Sequence, residues 1–135
     1  MRRCMVIGKV IDLQKICDPR GNLTVAQSHE AVPFDIARAY WVYDVPAGEC
    51  RGGHAHKECE ELLIATSGAF HVTLDNGEQK ETILLNHPYQ ALYIPKMTWR
   101  SLDDFSSGAV CLVLASKPFD EADYIREYDE FLKQR

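Results

Sequence analysis

The chain has 135 residues, enough for one domain with its own core spanning residues 1–135. Apolar residues make up 46% and charged ones 26%, the balance of a soluble globular domain, and the formal net charge of −5 argues against a nucleic-acid partner, which calls for a basic face. Cys4, Cys17, Cys50, Cys59 and Cys111 are odd in number and form no CxxC pair, so they read as reduced thiols rather than a disulfide framework or a zinc knuckle. No apolar run is long enough to span a membrane, and no signal-peptide pattern opens the chain. The expected location is the cytoplasm.

Short alternating or apolar segments follow one another along the sequence. Cys4–Val10, Leu23–Gln27, Arg38–Tyr43, Glu61–Ala65, Ala69–Leu74, Lys80–Leu84, Ala91–Ile94 and Ala109–Ala115 each have strand length and strand composition. Turn chemistry separates them: Asp18-Pro-Arg-Gly21, Pro46-Ala-Gly48, Ser67-Gly68, Asp75-Asn-Gly77, Asn86-His-Pro88 and Ser106-Ser-Gly108. Asn76-Gly77 between alternating runs signals a two-residue hairpin. Many short strands at near-regular spacing predict an all-β sandwich or barrel. The tail differs. Tyr124, Ile125, Tyr128, Phe131 and Leu132 recur at helical spacing, which predicts one amphipathic helix over Asp120–Lys133.

The stretch Arg51-Gly-Gly-His-Ala-His-Lys57 carries the chemistry. In a strand, residues i and i+2 share a face, so His54 and His56 project side by side. Gly52 and Gly53 let another backbone or a ligand come close at the strand entrance. Two aligned imidazoles mean a metal site or acid–base chemistry near neutral pH. Which of Glu60 and Glu61 joins them is open, because Glu60 keeps the histidines' strand parity and Glu61 does not. Tyr40 could equally be a core aromatic, and Trp99 a barrel-wall residue.

Gly48, His54, His56, Glu61 and Gly68 together resemble the first signature of the cupin superfamily, which implies a jelly-roll β-barrel. In metal-binding cupins the two histidines and the glutamate are ligands, and a second signature supplies another histidine. Here the segment similar to that second signature, Ile94–Arg100, puts Arg100 at the histidine position. A guanidinium stays protonated and has no lone pair to offer a metal.

A closer resemblance runs through Pro33–Tyr40, Arg51–Lys57, Trp99, Phe105-Ser-Ser107, Leu114-Ala-Ser116 and Asp120–Phe131, taken in order. Together these look like the TDP-4-keto-6-deoxyglucose 3,4-ketoisomerases, and the RGGHAHK block combined with the DEADYIREYDEF tail is the specific part. The resemblance implies a metal-free cupin without cofactor, acting on a TDP-linked 4-keto-6-deoxyhexose on the way to 3-amino-3,6-dideoxysugars. It also implies a homodimer with exchanged N-terminal strands. It assigns His54 to carbon acid–base work, His56 to its assistance, and Tyr40 to relaying the oxygen proton. Substrate binding falls by the same resemblance to Arg51, Arg100, Lys57 and Trp99. The sequence leaves the configuration at C4 and the reading of the nucleobase open, and a cupin that only binds a nucleotide sugar remains the alternative from another class.

Overall fold

The computed structural model describes residues 7–135, and Cys4, with the first part of the strand expected over Cys4–Val10, lies outside them. Two five-stranded antiparallel sheets account for most of the chain. One runs in the order β1 (Lys9–Asp12), β9 (Gln90–Ile94), β6 (Glu61–Ser67), β11 (Val110–Ala115), β4 (Arg38–Val42). The other runs β12 (Tyr124–Ile125), β5 (Arg51–His56), β10 (Trp99–Asp103), β7 (Phe70–Asp75), β8 (Lys80–Leu85). A short ribbon of β2 (Gln14–Ile16) and β3 (Leu23–Val25) stands apart. The architecture is all-β, as expected of a cupin.

Alternation explains how the sheets meet. In β7, Phe70, Val72 and Leu74 are buried while His71 and Thr73 are only partly so, and Leu63, Ala65, Cys111 and Val113 from the opposite sheet pack on them. Side chains with period two thus fill the space between the layers. A second apolar layer, with Leu62, Ile64, Ala91 and Leu114, packs on the other face of that sheet beneath Leu13, Val32 and Phe34. Strand β6 is therefore buried on both faces, which is why it reads as a continuous apolar run.

The structure departs from the sequence reading in four places, the first being β2, which lies over residues read as no strand. Strands β5 and β10 lie where only motifs stood in the strand reading. The Asn76-Gly77 loop is longer than a two-residue hairpin: Asp75 pairs with Lys80, and Asn76 Oδ1 accepts from Glu78 N (2.9 Å) and Gln79 N (2.8 Å). That Asn side chain satisfies the tip of a four-residue turn instead. Finally, the tail is not one helix. It breaks into a 3-10 turn (Glu121–Asp123), strand β12, and a helix α1 covering only Tyr128–Gln134.

The broken tail has a physical cause. Strand β5 would otherwise end its sheet with unpaired backbone groups, and Tyr124 and Ile125 pair with His56 and Ala55 to close that edge. The pairing wins over helical periodicity, which is a weak preference against a whole row of backbone bonds. Downstream, Phe131 is fully buried and packs with Ala55, Ile125, Trp99 and Tyr128, pinning the short helix to the outer face of β5 and β10.

Candidate active site

The glycine pair shapes the site. Arg100 pairs with His54 but Ser101 pairs with Gly52, so Gly53 is an extra residue in β5. Gly52 and Gly53 take φ of 93° and 51°, a left-handed backbone that suits a bulge. A Cβ on Gly52 would meet Arg100 O at 3.2 Å and Leu102 Cδ1 at 3.1 Å. Past this bulge His54 and His56 both turn inward and are buried, with ring centroids 4.8 Å apart and nearly perpendicular.

Each ring is held by its Nδ1. His54 Nδ1 lies 2.7 Å from Gly52 O, a carbonyl that can only accept, so Nδ1 carries the proton and Nε2 the lone pair. His56 Nδ1 lies 3.1 Å from Asp123 Oδ2, and a carboxylate likewise fixes the proton on Nδ1. Both Nε2 atoms are buried without a hydrogen-bond partner. Burial and then the nearby Arg100 charge press His54 down to about 4. The same two causes lower His56, against the opposing pull of Glu61 and Asp123. Both imidazoles are neutral bases near pH 7.

Glu61, at the start of β6, is the carboxylate that faces inward; Glu60 instead accepts from the Tyr93 hydroxyl. Arg100 Nη1 donates to Glu61 Oε1, and Tyr40 donates its hydroxyl to Glu61 Oε2 at 2.6 Å. Arg100 is anchored again by Nη2 on Thr98 O (2.9 Å). Burial works to raise the Glu61 carboxyl, but Arg100, His56 and the Tyr40 hydroxyl outweigh it and hold the group below its usual range. Burial and then the Glu61 charge push the Tyr40 hydroxyl far up, so it stays a proton donor.

Tyr40, Arg51, His54, Glu61 and Arg100 line one cavity of about 210 Å³, with Val42, Leu63, Leu102, Cys111 and Val113 as its apolar floor. His56 sits directly behind His54. Lys57 and Trp99 lie elsewhere. Lys57 is exposed, and only its backbone N–H is engaged, on Asp123 O (3.0 Å). Trp99 alternates to the other face of β10 and packs edge-on against Tyr128 at 5.4 Å, so it anchors the tail rather than lining the cavity.

Three residues of the tail motif were not among the site residues expected from the sequence. Tyr124 and Arg126 also line the cavity, and the Tyr124 ring lies 5.0 Å from His54 and 4.4 Å from His56. Asp123 is the partner of His56. Their signal was the tail motif itself, which helical spacing disguised as a solvated face.

His54, His56 and Glu61 place ligand-type atoms within 4.8 Å of one another, the layout of a cupin metal centre. The residues do not fit that use. Both Glu61 oxygens are already taken, one by a guanidinium whose positive charge repels a divalent cation.

Residues 7–135 match the family described as "FdtA: WxcM-like, C-terminal". A TDP-4-oxo-6-deoxy-α-D-glucose 3,4-oxoisomerase from Aneurinibacillus thermoaerophilus is 43% identical over 126 residues, covering 93% of this chain and 91% of that one. Among solved structures, a mutant of the QdtA 3,4-ketoisomerase from Thermoanaerobacterium thermosaccharolyticum, in complex with TDP-4-keto-6-deoxyglucose, superposes with TM-score 0.94 at 36% identity, covering 97% of this chain and 95% of its own. The WlaRB TDP-quinovose 3,4-ketoisomerase from Campylobacter jejuni reaches TM-score 0.89 at 45% identity, covering 93% and 97%. With a family match across almost its whole described length and relatives this near, the chain belongs to the FdtA/WxcM-like sugar 3,4-ketoisomerases of the cupin superfamily.

Proposed function

We infer that the protein is an isomerase that moves the keto group of a TDP-linked 4-keto-6-deoxyhexose from C4 to C3. The observation that carries the chemistry is His54, whose Nδ1 is tied to Gly52 O and whose Nε2 is left buried and unpartnered in the cavity. Ketone migration needs a base at C3, an acid at C4 and a route for one hydroxyl proton, with no net change of oxidation state. His54 Nε2 takes the C3 proton, the C4 carbonyl gains electron density to give an enediolate, and the same imidazolium returns a proton to C4. The Tyr40 hydroxyl, donating to Glu61, offers its oxygen to the substrate's hydroxyl and relays the proton between O3 and O4. A positioned base of this kind is worth about 10²–10⁴-fold.

Charge follows the same logic. A diphosphate bound here would meet Arg51 and Arg126 at the cavity wall, where a guanidinium can fork onto its oxygens. Arg100, buried and paired with Glu61, keeps the interior positive enough to stabilise the enediolate. An anionic substrate also raises His54 toward the neutral range in which it transfers protons fastest. The 3-keto product is then set up for amination at C3. The four described cysteines are free thiols, which suits a cytoplasmic enzyme.

We also read the protein as a homodimer with exchanged N-terminal strands. Trp41, on the strand at the end of one sheet, and Tyr43, just past it, are both 59% exposed, an apolar surface that a second copy would cover.

Proton NMR of TDP-4-keto-6-deoxyglucose incubated in D2O tests the reaction. Wild-type protein is expected to give the 3-keto sugar with deuterium at C4, whose coupling names the epimer, and His54→Asn to give none. Tight binding with no turnover by the wild type would move the protein to the binding modules.

A further inference from the structure

The mechanism assigns a job to His54 and leaves the second histidine as a neighbour, although it is the more deeply buried of the two. What distinguishes His56 is a carboxylate from the far end of the chain. Asp123 lies 67 residues away in sequence, in the 3-10 turn just before β12. Its Oδ2 takes His56 Nδ1 at 3.1 Å and the Cys59 N–H at 3.2 Å, and its Oδ1 takes the Glu58 N–H at 2.7 Å. The Lys57 N–H donates to the Asp123 carbonyl. The backbone of 57–59 therefore holds Asp123 at both ends, and Asp123 in turn holds the imidazole.

We propose that Asp123 is a positioning residue for the isomerisation: it locks His56 in the Nδ1–H tautomer, so that Nε2 is a lone pair at the inner end of the site and a charged His56 is stabilised when it forms. The geometry allows no competing choice. Glu61 Oε2, the other carboxylate oxygen in range of the ring, is 3.7 Å from Nε2, too long for a hydrogen bond, and so draws the proton less than Asp123 does. When Nε2 shares the hydroxyl proton that passes between O3 and O4, the ring lies between two carboxylates, at 3.1 Å on one side and 3.7 Å on the other. A buried imidazole with that arrangement accepts and returns a proton without a second rearrangement. The proposal rests on the ketoisomerase reading for its kinetic consequence, but not for its structural one.

Asp123→Asn is an informative change because one orientation of the amide keeps the shorter of its two backbone contacts. Turning its NH2 toward the Glu58 N–H, now at 2.7 Å, would set donor against donor at the shortest contact. The amide oxygen therefore stays there, and the NH2 faces His56 Nδ1, giving up only the longer contact from the Cys59 N–H at 3.2 Å. Nδ1 must then accept, and the proton moves to Nε2. The tautomer is inverted with almost no change in shape.

The test combines nitrogen-15 NMR of the histidine rings in the free protein with steady-state kinetics. In wild type, His56 is expected to show a protonated Nδ1 and a bare Nε2, and in Asp123→Asn the reverse. kcat should fall about 10²-fold with KM within about twofold, the pattern of a lost transition-state contact. Asp123→Glu, which keeps a carboxylate, should keep the wild-type tautomer and recover part of the rate. In a His56→Asn background the Asp123→Asn change should cost less than about threefold, because a residue acting through His56 has nothing left to act on. An unchanged tautomer in Asp123→Asn, or a full additive loss in the His56→Asn background, would overturn the proposal. If Asp123→Asn does not fold, the glutamate variant carries both readouts, and a bare Nδ1 in it counts against the idea. Wild-type protein that shows the expected tautomer yet turns over no sugar would sink the ketoisomerase reading and leave the tautomer lock standing.

Discussion

At the scale of single residues, Glu61 organises the interior. One carboxylate, 1% exposed, binds the Arg100 guanidinium and the Tyr40 hydroxyl and faces the His56 ring. Removing one member of a buried ion pair leaves the other charge stranded, which costs about 3–5 kcal/mol. Glu61→Ala is therefore expected to lower the midpoint of urea unfolding sharply, while Glu61→Gln, which still accepts from Tyr40, should lose activity more than stability. A second prediction concerns acid. His54 is held neutral near 4 in the folded protein and titrates near 6.5 when unfolded. Between those values the unfolded chain binds more protons, so stability falls as pH drops through 6.5 toward 4 and levels off below. That depression corresponds to about 3 kcal/mol. Unfolding curves at pH 7 and pH 5 should show the loss in wild type and a smaller one in His54→Asn.

At the scale of elements, the tail segments are the ones whose role depends on where they land. Phe131 is fully buried against Trp99, Tyr128 and Ile125, and the Tyr128 hydroxyl donates to Asp75 Oδ2 at 2.6 Å. Truncation of such a ring costs about 3–5 kcal/mol. Phe131→Ala should thus lower Tm and, because the same segment carries Asp123 and Tyr124, depress kcat well before the barrel itself melts. A thermal scan of activity beside one of tryptophan fluorescence would separate the two events. These elements also mark how far the sequence could be read. Alternation found β7, β8, β9 and β11, since each buries a clean face or a whole apolar run. The histidine pair was legible because a bulged glycine strand leaves few other uses for two inward imidazoles. Strand β12 was not, because nothing local tells Tyr124-Ile125 that an open strand edge awaits it. Glu61 over Glu60 was undecidable for the same reason: the choice is made by Arg100 and Tyr40, which arrive from other strands.

At the scale of the whole molecule, the two sheets divide the labour. The sheet containing β5 and β10 brings His54, His56 and Arg100, while the sheet containing β4 and β6 brings Tyr40 and Glu61. The paired imidazoles and the buried carboxylate therefore meet only when the layers pack, and the apolar side chains between them fix the spacing. The outer surface makes a different demand. With Trp41 and Tyr43 more than half exposed, a second copy is expected to cover them, and sedimentation of wild-type protein should show a dimer that Trp41→Asp converts to monomer. A monomeric wild type across micromolar concentrations would remove that reading.

The closing strand β12 has a consequence for how the protein is made. Tyr40, His54, His56, Glu61 and Arg100 all leave the ribosome before the segment that carries Asp123 and Tyr124. A nascent chain can collapse its sheets early, since domains fold as they emerge, but β5 keeps an open edge until Tyr124 and Ile125 are translated. Completion of the site thus waits on the segment that carries Asp123 and Tyr124, and a chain cut before it keeps every inward base but leaves β5 unpaired at that edge. Such a product would expose a row of unpaired backbone groups along β5, an edge open to pairing with other chains.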